Sequence, residues 1–147
     1  MVSKYLCKAK RIDNNEWIEG NVLEYPDGKM SIAVQDASSN TLDQYFVHPE
    51  TVSRCTGITD KNGTKIFEGD ILRYINELEE VNAPEIGVVV YEQSECHFEV
   101  QRIVKNPENV HIPTSISVVY LFKDKQCSYE VLGNIHGGSG LLERCKR

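Results

Sequence analysis

Short apolar stretches, each broken after a few residues by turn formers, run the length of this chain. In RIDNNEWIEGNVLEY, Asp13, Asn14 and Asn15 separate two pieces that alternate apolar and polar positions; in EYPDGKMSIAV, Pro26, Asp27 and Gly28 do the same. Proline presets φ for a turn, aspartate bonds its own backbone and glycine takes positive φ. Residues 3 to 35 therefore predict a small antiparallel meander. Ser38, Ser39 and Asn40 read as a loop, and Tyr45 with Val47 as a brief strand. His48 precedes Pro49, whose ring pushes it toward extended geometry, so no helix is expected to run through it.

The most patterned stretch is TGITDKNGTKIFEGDILRY, residues 56 to 74. Asp60, Lys61, Asn62 and Gly63 place an Asn-Gly pair where a tight hairpin turn wants positive φ, between Thr56 to Thr59 and Thr64 to Phe67. Gly69 interrupts the following strand as a bulge or sharp bend would, and Asp70 is placed to accept bonds from nearby backbone amides. Asp60, Asn62, Gly63, Gly69 and Asp70 are thus expected to form a structural turn and bend.

Beyond it, residues 75 to 85 are acidic and suit a short helix or a long loop equally. IGVVVY at 86 to 91 is dense in β-branched residues and reads as a buried strand. HFEVQRIV at 97 to 104 alternates with Phe98 and Val100 on one side, 105 to 115 reads as loop, and 116 to 122 as strand. After the KDKQ turn comes SYEVLGNI, with Tyr129, Val131, Gly133 and Ile135 expected on one face. The glycines from Gly137 to Gly140 end the sheet, and LLERCKR is a candidate last helical turn. Many short strands joined by Gly- and Asn-bearing turns predict a mostly β protein with few short helical turns, built as a small barrel or sandwich.

Length and charge narrow the picture further. The 147 residues suit one moderate domain, or a small domain with an appended hairpin layer. No apolar run is long enough for a membrane helix, and MVSKYLCKAKR lacks the apolar centre of a signal peptide, so a cytoplasmic protein with no membrane partner is expected. Cys7, Cys55, Cys96, Cys127 and Cys145 show no paired spacing, which argues for reduced, mostly buried thiols over disulfides or zinc. A net charge of −6 disfavours a protein that works by sequence-independent phosphate binding. Two short basic runs, Lys8, Lys10 and Arg11 near one end and Arg144, Lys146 and Arg147 at the other, supply the only footprint for nucleic-acid contact.

Candidate chemistry is sparse. Asp60, Glu68 and Asp70 lie close enough in sequence to hold Mg²⁺, yet turn-forming aspartate is far commoner than a metal site, so no metal is expected. Cys96 and His97 are adjacent on a strand and diverge, while His48, His111 and His136 show no ligand spacing. No phosphate loop or dinucleotide fingerprint is present, and an anion nest at Gly137, Gly138 and Gly140 is weaker than a linker role. Trp17, Tyr45, Phe46, Tyr91, Phe98 and Tyr120 could line a stacking surface, but their strand positions place most of them in the core. No catalytic residues, no cofactor and no enzyme activity are expected.

Four blocks carry a family likeness. KAKRIDNNEWIEGNV, VHPETVSRCTGITDKNGTKIFEGDIL, GVVVYE and YEVLGNI together, in this order, resemble the YopX family of phage and prophage proteins. The resemblance implies an SH3-type barrel in the C-terminal part and homo-oligomers, and it carries no catalytic residues. It divides the chain into an N-terminal β-meander layer, 1–50, and an SH3-like barrel domain, 51–147, together one compact unit. One departure is that Gly137 to Gly140 stand where relatives tend to have an acidic or Asn-Pro start to the final helix. The resulting expectation is a non-enzymatic protein-interaction module or homo-oligomeric accessory factor, engaging itself and a host or phage protein, with a nucleic-acid-binding regulator as the alternative.

Overall fold

The computed structural model describes residues 3, 5–75, 84–103, 115–117, 128–137, 140, 141 and 144. The protein is mostly β, arranged in two antiparallel sheets among these residues. No described helix is long and apolar enough to cross a membrane. The chain divides into two compact units, Met1–Gly57 and Ile58–Arg147.

In the first unit, β1 (Cys7–Lys10), β2 (Trp17–Glu24), β3 (Met30–Asp36) and β4 (Thr41–Val47) follow one another as an antiparallel meander. Its turns use the side chains expected of them. Asn15 takes φ 58°, and the Asp27 carboxylate accepts the Lys29 amide at 3.1 Å. At the third turn the Asp36 carboxylate accepts the Ser38 amide at 2.8 Å. β4 is longer than the brief strand expected at Tyr45 to Val47, because all seven of its residues keep register with β3 from Met30 to Asp36.

His48 is extended as its proline neighbour requires, and Pro49–Thr51 makes one 3-10 turn. The strand after it, β5 (Ser53–Thr59), pairs back onto β1 through Ser53 and Arg54, so these residues stay with the first unit and the division falls at Gly57. The order within the unit is β4-β3-β2-β1-β5. Its sheet curls: Arg11 bridges Val47, the Ile12 amide donates to the Phe46 carbonyl at 3.0 Å, and the His48 amide donates to the Lys10 carbonyl at 2.9 Å. Buried Cys7, Ala9, Ile32 and Val47 fill the concave side, with Ile18, Met30, Val34 and Val52 packed against them.

The second unit holds the end of β5, followed by β6 (Lys65–Phe67), β7 (Asp70–Ile75), β8 (Glu85–Glu92), β9 (His97–Arg102), β10 (Ser115–Ser117) and β11 (Ser128–Asn134). Five of these form an antiparallel sheet in the order β10-β9-β8-β7-β11. Fully buried Ile66, Leu72, Tyr74, Val89 and Val100 make its core, and Ile58, Phe98, Tyr129 and Val131 pack against them. As the alternation of β9 predicts, Phe98 and Val100 turn to that core.

β11 departs from strict alternation. Val131 stands opposite Leu72 and Gly133 opposite Ile71, so Leu132 is an extra residue in a bulge. A side chain one position on in a strand points to the other face, and an inserted residue therefore swaps the faces beyond it. Tyr129 and Val131 share the core side as expected, whereas Gly133 and Ile135 do not. Asn134 is brought opposite Asp70 instead.

At the tail, the Arg144 amide donates to the Gly140 carbonyl at 3.1 Å, a bond of helical spacing. Of the acidic segment 75 to 85, Ile75 ends β7 and Glu85 starts β8, and 76–83 lie outside the described residues. Of the loop expected at 105 to 115, Ser115 instead starts β10 and the rest lies outside the described residues, as do the KDKQ turn and all but the start of the strand expected at 116 to 122.

Candidate functional site

Both aspartates singled out in the sequence are buried and bonded to their surroundings. One Asp60 carboxylate oxygen accepts the amides of Asn62 and Thr64 at 2.8 and 2.9 Å; the other accepts the amide of Val131 at 3.0 Å. The side chain thus closes its own turn and ties it to β11, a strand 71 positions away. Burial acts most strongly on this group and pushes its pKa up, yet the amides of Val131, Thr64 and Asn62 together outweigh it. The carboxyl is held below its ordinary value.

The turn differs from a two-residue Asn-Gly hairpin. The Asp60 amide donates to the Thr64 carbonyl at 2.8 Å and the Gly63 amide to the Asp60 carbonyl at 3.0 Å. Gly63 alone among the loop residues takes positive φ, 81°. This is a three-residue loop with glycine in the left-handed position, and Asn62 stays in the ordinary region because Asp60 already fixes its amide.

Six residues on, Gly69 also has φ 81°. Its amide donates to Val89 at 2.7 Å and its carbonyl accepts the Ile135 amide at 2.9 Å, so the bend holds β8 and the end of β11 at once. Asp70 accepts the Phe67 amide at 2.8 Å and the Asn134 side-chain amide at 2.9 Å, and only 1% of its surface is exposed. Carboxylates consumed this way by fixed protein donors are structural anchors. Among the described residues no group of three or more His, Cys, Asp or Glu is placed to hold a metal ion.

The first unit carries a different kind of surface. Lys8 and Lys10 lie over the Trp17 ring at 5.0 and 5.6 Å from its centroid, and Arg11 lies over Tyr45 at 4.1 Å. Arg11 is also bound through two nitrogens by Asp13; that hydrogen bond is the leading cause of the raised Arg11 pKa and the lowered Asp13 pKa. Register separates these cations. Lys8 and Lys10 alternate with the core residues Cys7 and Ala9 and so face outward, while Arg11 shares the inward parity. Arg144 is exposed in the second unit, and Lys146 and Arg147 lie outside the described residues.

Several aromatics expected in the core are placed otherwise. Phe46 is 50% exposed and meets the Tyr25 ring at 5.8 Å; Trp17 and Tyr45 are half-buried under their cations. Tyr91 is half-buried and packs edge-on against Phe98 at 5.1 Å. Among the described residues the buried aromatics are instead Phe67 and Tyr74. Tyr120 lies outside the described residues.

Phe46 belongs with Leu42, 70% exposed, and Leu23, 46% exposed, on the outward side of the first sheet. β4 is the terminal strand of that sheet, and beside it Ile12, Asp13, Gln44, Tyr45 and Phe46 line a shallow hollow of about 260 Å³. Sequence reasoning missed this surface. Its one signal is the alternation of Leu42, Gln44 and Phe46, which reads equally well as a strand facing a core.

Among the described residues the other candidates do not converge, and His111, Cys127 and Cys145 lie outside them. Cys96 is exposed with φ 55° in the turn before β9, and His97 starts the strand beside Glu95 and Glu99 at 3.6 and 3.9 Å. Cys7 and Cys55 are buried, and the Cys55 sulfur accepts the Gly57 amide at 3.4 Å. His48 meets Asn15 at 3.0 Å. The His136 amide is bonded to the Asn134 side chain at 2.9 Å, closing the chain just after β11.

A model of the family described as YopX protein matches residues 8–143. The comparison with curated proteins gives no match. Among solved structures, the chain is similar to the crystal structure of protein EF1440 from Enterococcus faecalis, at 23% identity over 95% of this chain and 99% of that one, with a TM-score of 0.48. With the family match covering nearly the whole length, the chain belongs to the YopX family.

Proposed function

We propose that the protein is a non-enzymatic interaction module, phage- or prophage-encoded, that works in the cytoplasm of the bacterial host, associates with itself and engages a host or phage protein. The observation that carries this reading is the exposure of Leu23, Leu42 and Phe46 together on the outward side of one sheet, with a terminal strand beside them. Clustered exposed apolar side chains favour a protein partner, and a terminal strand offers backbone groups for pairing. The commitment of Asp60 and Asp70 to structural bonds adds support, since it leaves them unsuited to acid–base work. On this reading the second unit is a small SH3-type barrel, an idea supported by its antiparallel order and by the bulge that bends β11.

A specific observation favours one alternative. Trp17 flanked by Lys8 and Lys10 combines a ring for stacking with two cations for phosphate, the pairing used by single-strand nucleic-acid binders. The two readings separate by light scattering over a range of protein concentrations, together with titration of single-stranded DNA and RNA at low salt. Self-association without nucleic-acid binding is the expected result. A monomer at every concentration that binds either strand, with affinity falling steeply as salt rises, would replace the interaction module with a nucleic-acid binder.

A further inference from the structure

The bonds that curl the first sheet use only one end of β4. Ile12 and Lys10 bind the backbone at Phe46 and His48, and the sheet order ends at this strand, which leaves the segment Thr41–Tyr45 as a terminal edge. We propose that this edge accepts an extended peptide strand from a partner protein, and that the peptide alternates apolar with basic residues. The inference rests on the interaction-module reading and specifies its partner.

The alternation follows from the register. Leu42, Gln44 and Phe46 lie on the outward side with Leu23, because Ser31 pairs with both Phe46 and Leu23. Thr41, Asp43 and Tyr45 lie on the other side with Ile32 and Val34. An added strand repeats this parity, since residues directly opposite in a pair share a face. Its side chains on the outward side would meet exposed Leu42 and Gln44, the latter next to exposed Phe46; the next ones would meet Asp43. Apolar residues suit the first set and a cation suits the second.

Charge makes the choice specific. Asp43 is exposed and makes no side-chain hydrogen bond or ion pair among the described residues. Asp13 lines the hollow where the edge meets the β1–β2 turn, and Arg11, the nearby cation, is held by it. A net charge of −6 adds long-range attraction for a basic segment. A second copy of the chain fits this edge poorly: two antiparallel β4 segments centred on one another would set Asp43 against Asp43, and like charges directly opposite destabilise a sheet pair.

The test is to titrate the full ¹⁵N-labelled chain with an end-blocked peptide of four Val-Lys repeats, and separately with one of four Val-Glu repeats, following backbone amide signals. Saturable shifts confined to Thr41 through Tyr45 and to Ile12 and Asp13, with the basic peptide only, are expected. Asp43→Lys should weaken that binding about tenfold, by exchanging attraction for repulsion at one pair, and the exposed site should leave the remaining signals in place. Absence of saturable shifts, equal response to both peptides, or shifts centred elsewhere would overturn the proposal. Shifts of the same amides on concentrating the protein alone would assign the edge to a second copy and also overturn it. A chain that self-associates yet ignores the peptide loses this inference and keeps the interaction-module reading.

Discussion

Asp60→Ala is expected to cost about 3–5 kcal/mol of folding stability, because it strips the acceptor from the amides of Asn62, Thr64 and Val131 together. Two of these bonds shape the loop, and the third carries the loop to β11, so the loss is felt across the second unit. The same carboxylate makes stability depend on pH. Its folded pKa lies below the ordinary carboxyl value, so its contribution is present above the unfolded value and is lost as pH falls through the folded one. Chemical denaturation of the parent and of Asp60→Asn across the acid range checks the sign. The parent should lose its advantage toward low pH while the variant, lacking the titrating group, shows a shallower decline. An Asp60→Ala protein as stable as the parent would mean that water replaces the carboxylate at no cost, and the structural assignment would fail.

Gly69→Val carries the second large effect, about 2–4 kcal/mol. A β-branched residue at φ 81° is strained by roughly 1–3 kcal/mol before any contact is considered. A Cβ there would also stand 3.2 Å from the Asn134 side-chain nitrogen and 3.3 Å from Ile135, tighter than ordinary packing. Asn134 cannot easily give way, since it is bonded to Asp70 and its own oxygen accepts the His136 amide. Thermal denaturation reads the loss; an unchanged melting temperature would show that the bend tolerates a side chain and that its glycine is incidental.

The turn chemistry of both units was legible in the sequence because it depends on local residues. Asp27 and Gly28 announce one meander turn, and Asp60 through Gly63 announce the hairpin, since each carries its own hydrogen bonds or positive φ within a few positions. The extended His48 before Pro49 follows from one steric clash. Long-range partners were hidden: nothing near Asp60 says that Val131 will donate to it, and nothing near Asp70 names Asn134. The bulge at Leu132 was equally silent, because YEVLGN alternates plausibly without it. It reverses the faces of Gly133 and Ile135 all the same.

The surface on the first unit was misread for a related reason. Aromatic and aliphatic residues alternating along a strand promise one buried face, but they do not say which side of the sheet the core occupies. Phe46 and Leu42 share a parity, and that parity is the outward one because Ile32 and Val47 take the inward side. Whether β4 ends its sheet depends on how the meander curls, which is set by the contact of Arg11 with Val47 across 36 positions of chain.

The central claim, that this member of the YopX family acts by binding protein, is tested most directly by capturing the tagged chain from a bacterial lysate, with and without nuclease, and identifying what is retained. A protein partner that survives nuclease is the predicted result. Retention of nucleic acid, with every co-purifying protein lost on nuclease treatment, would contradict it and move attention to Lys8, Lys10 and Trp17.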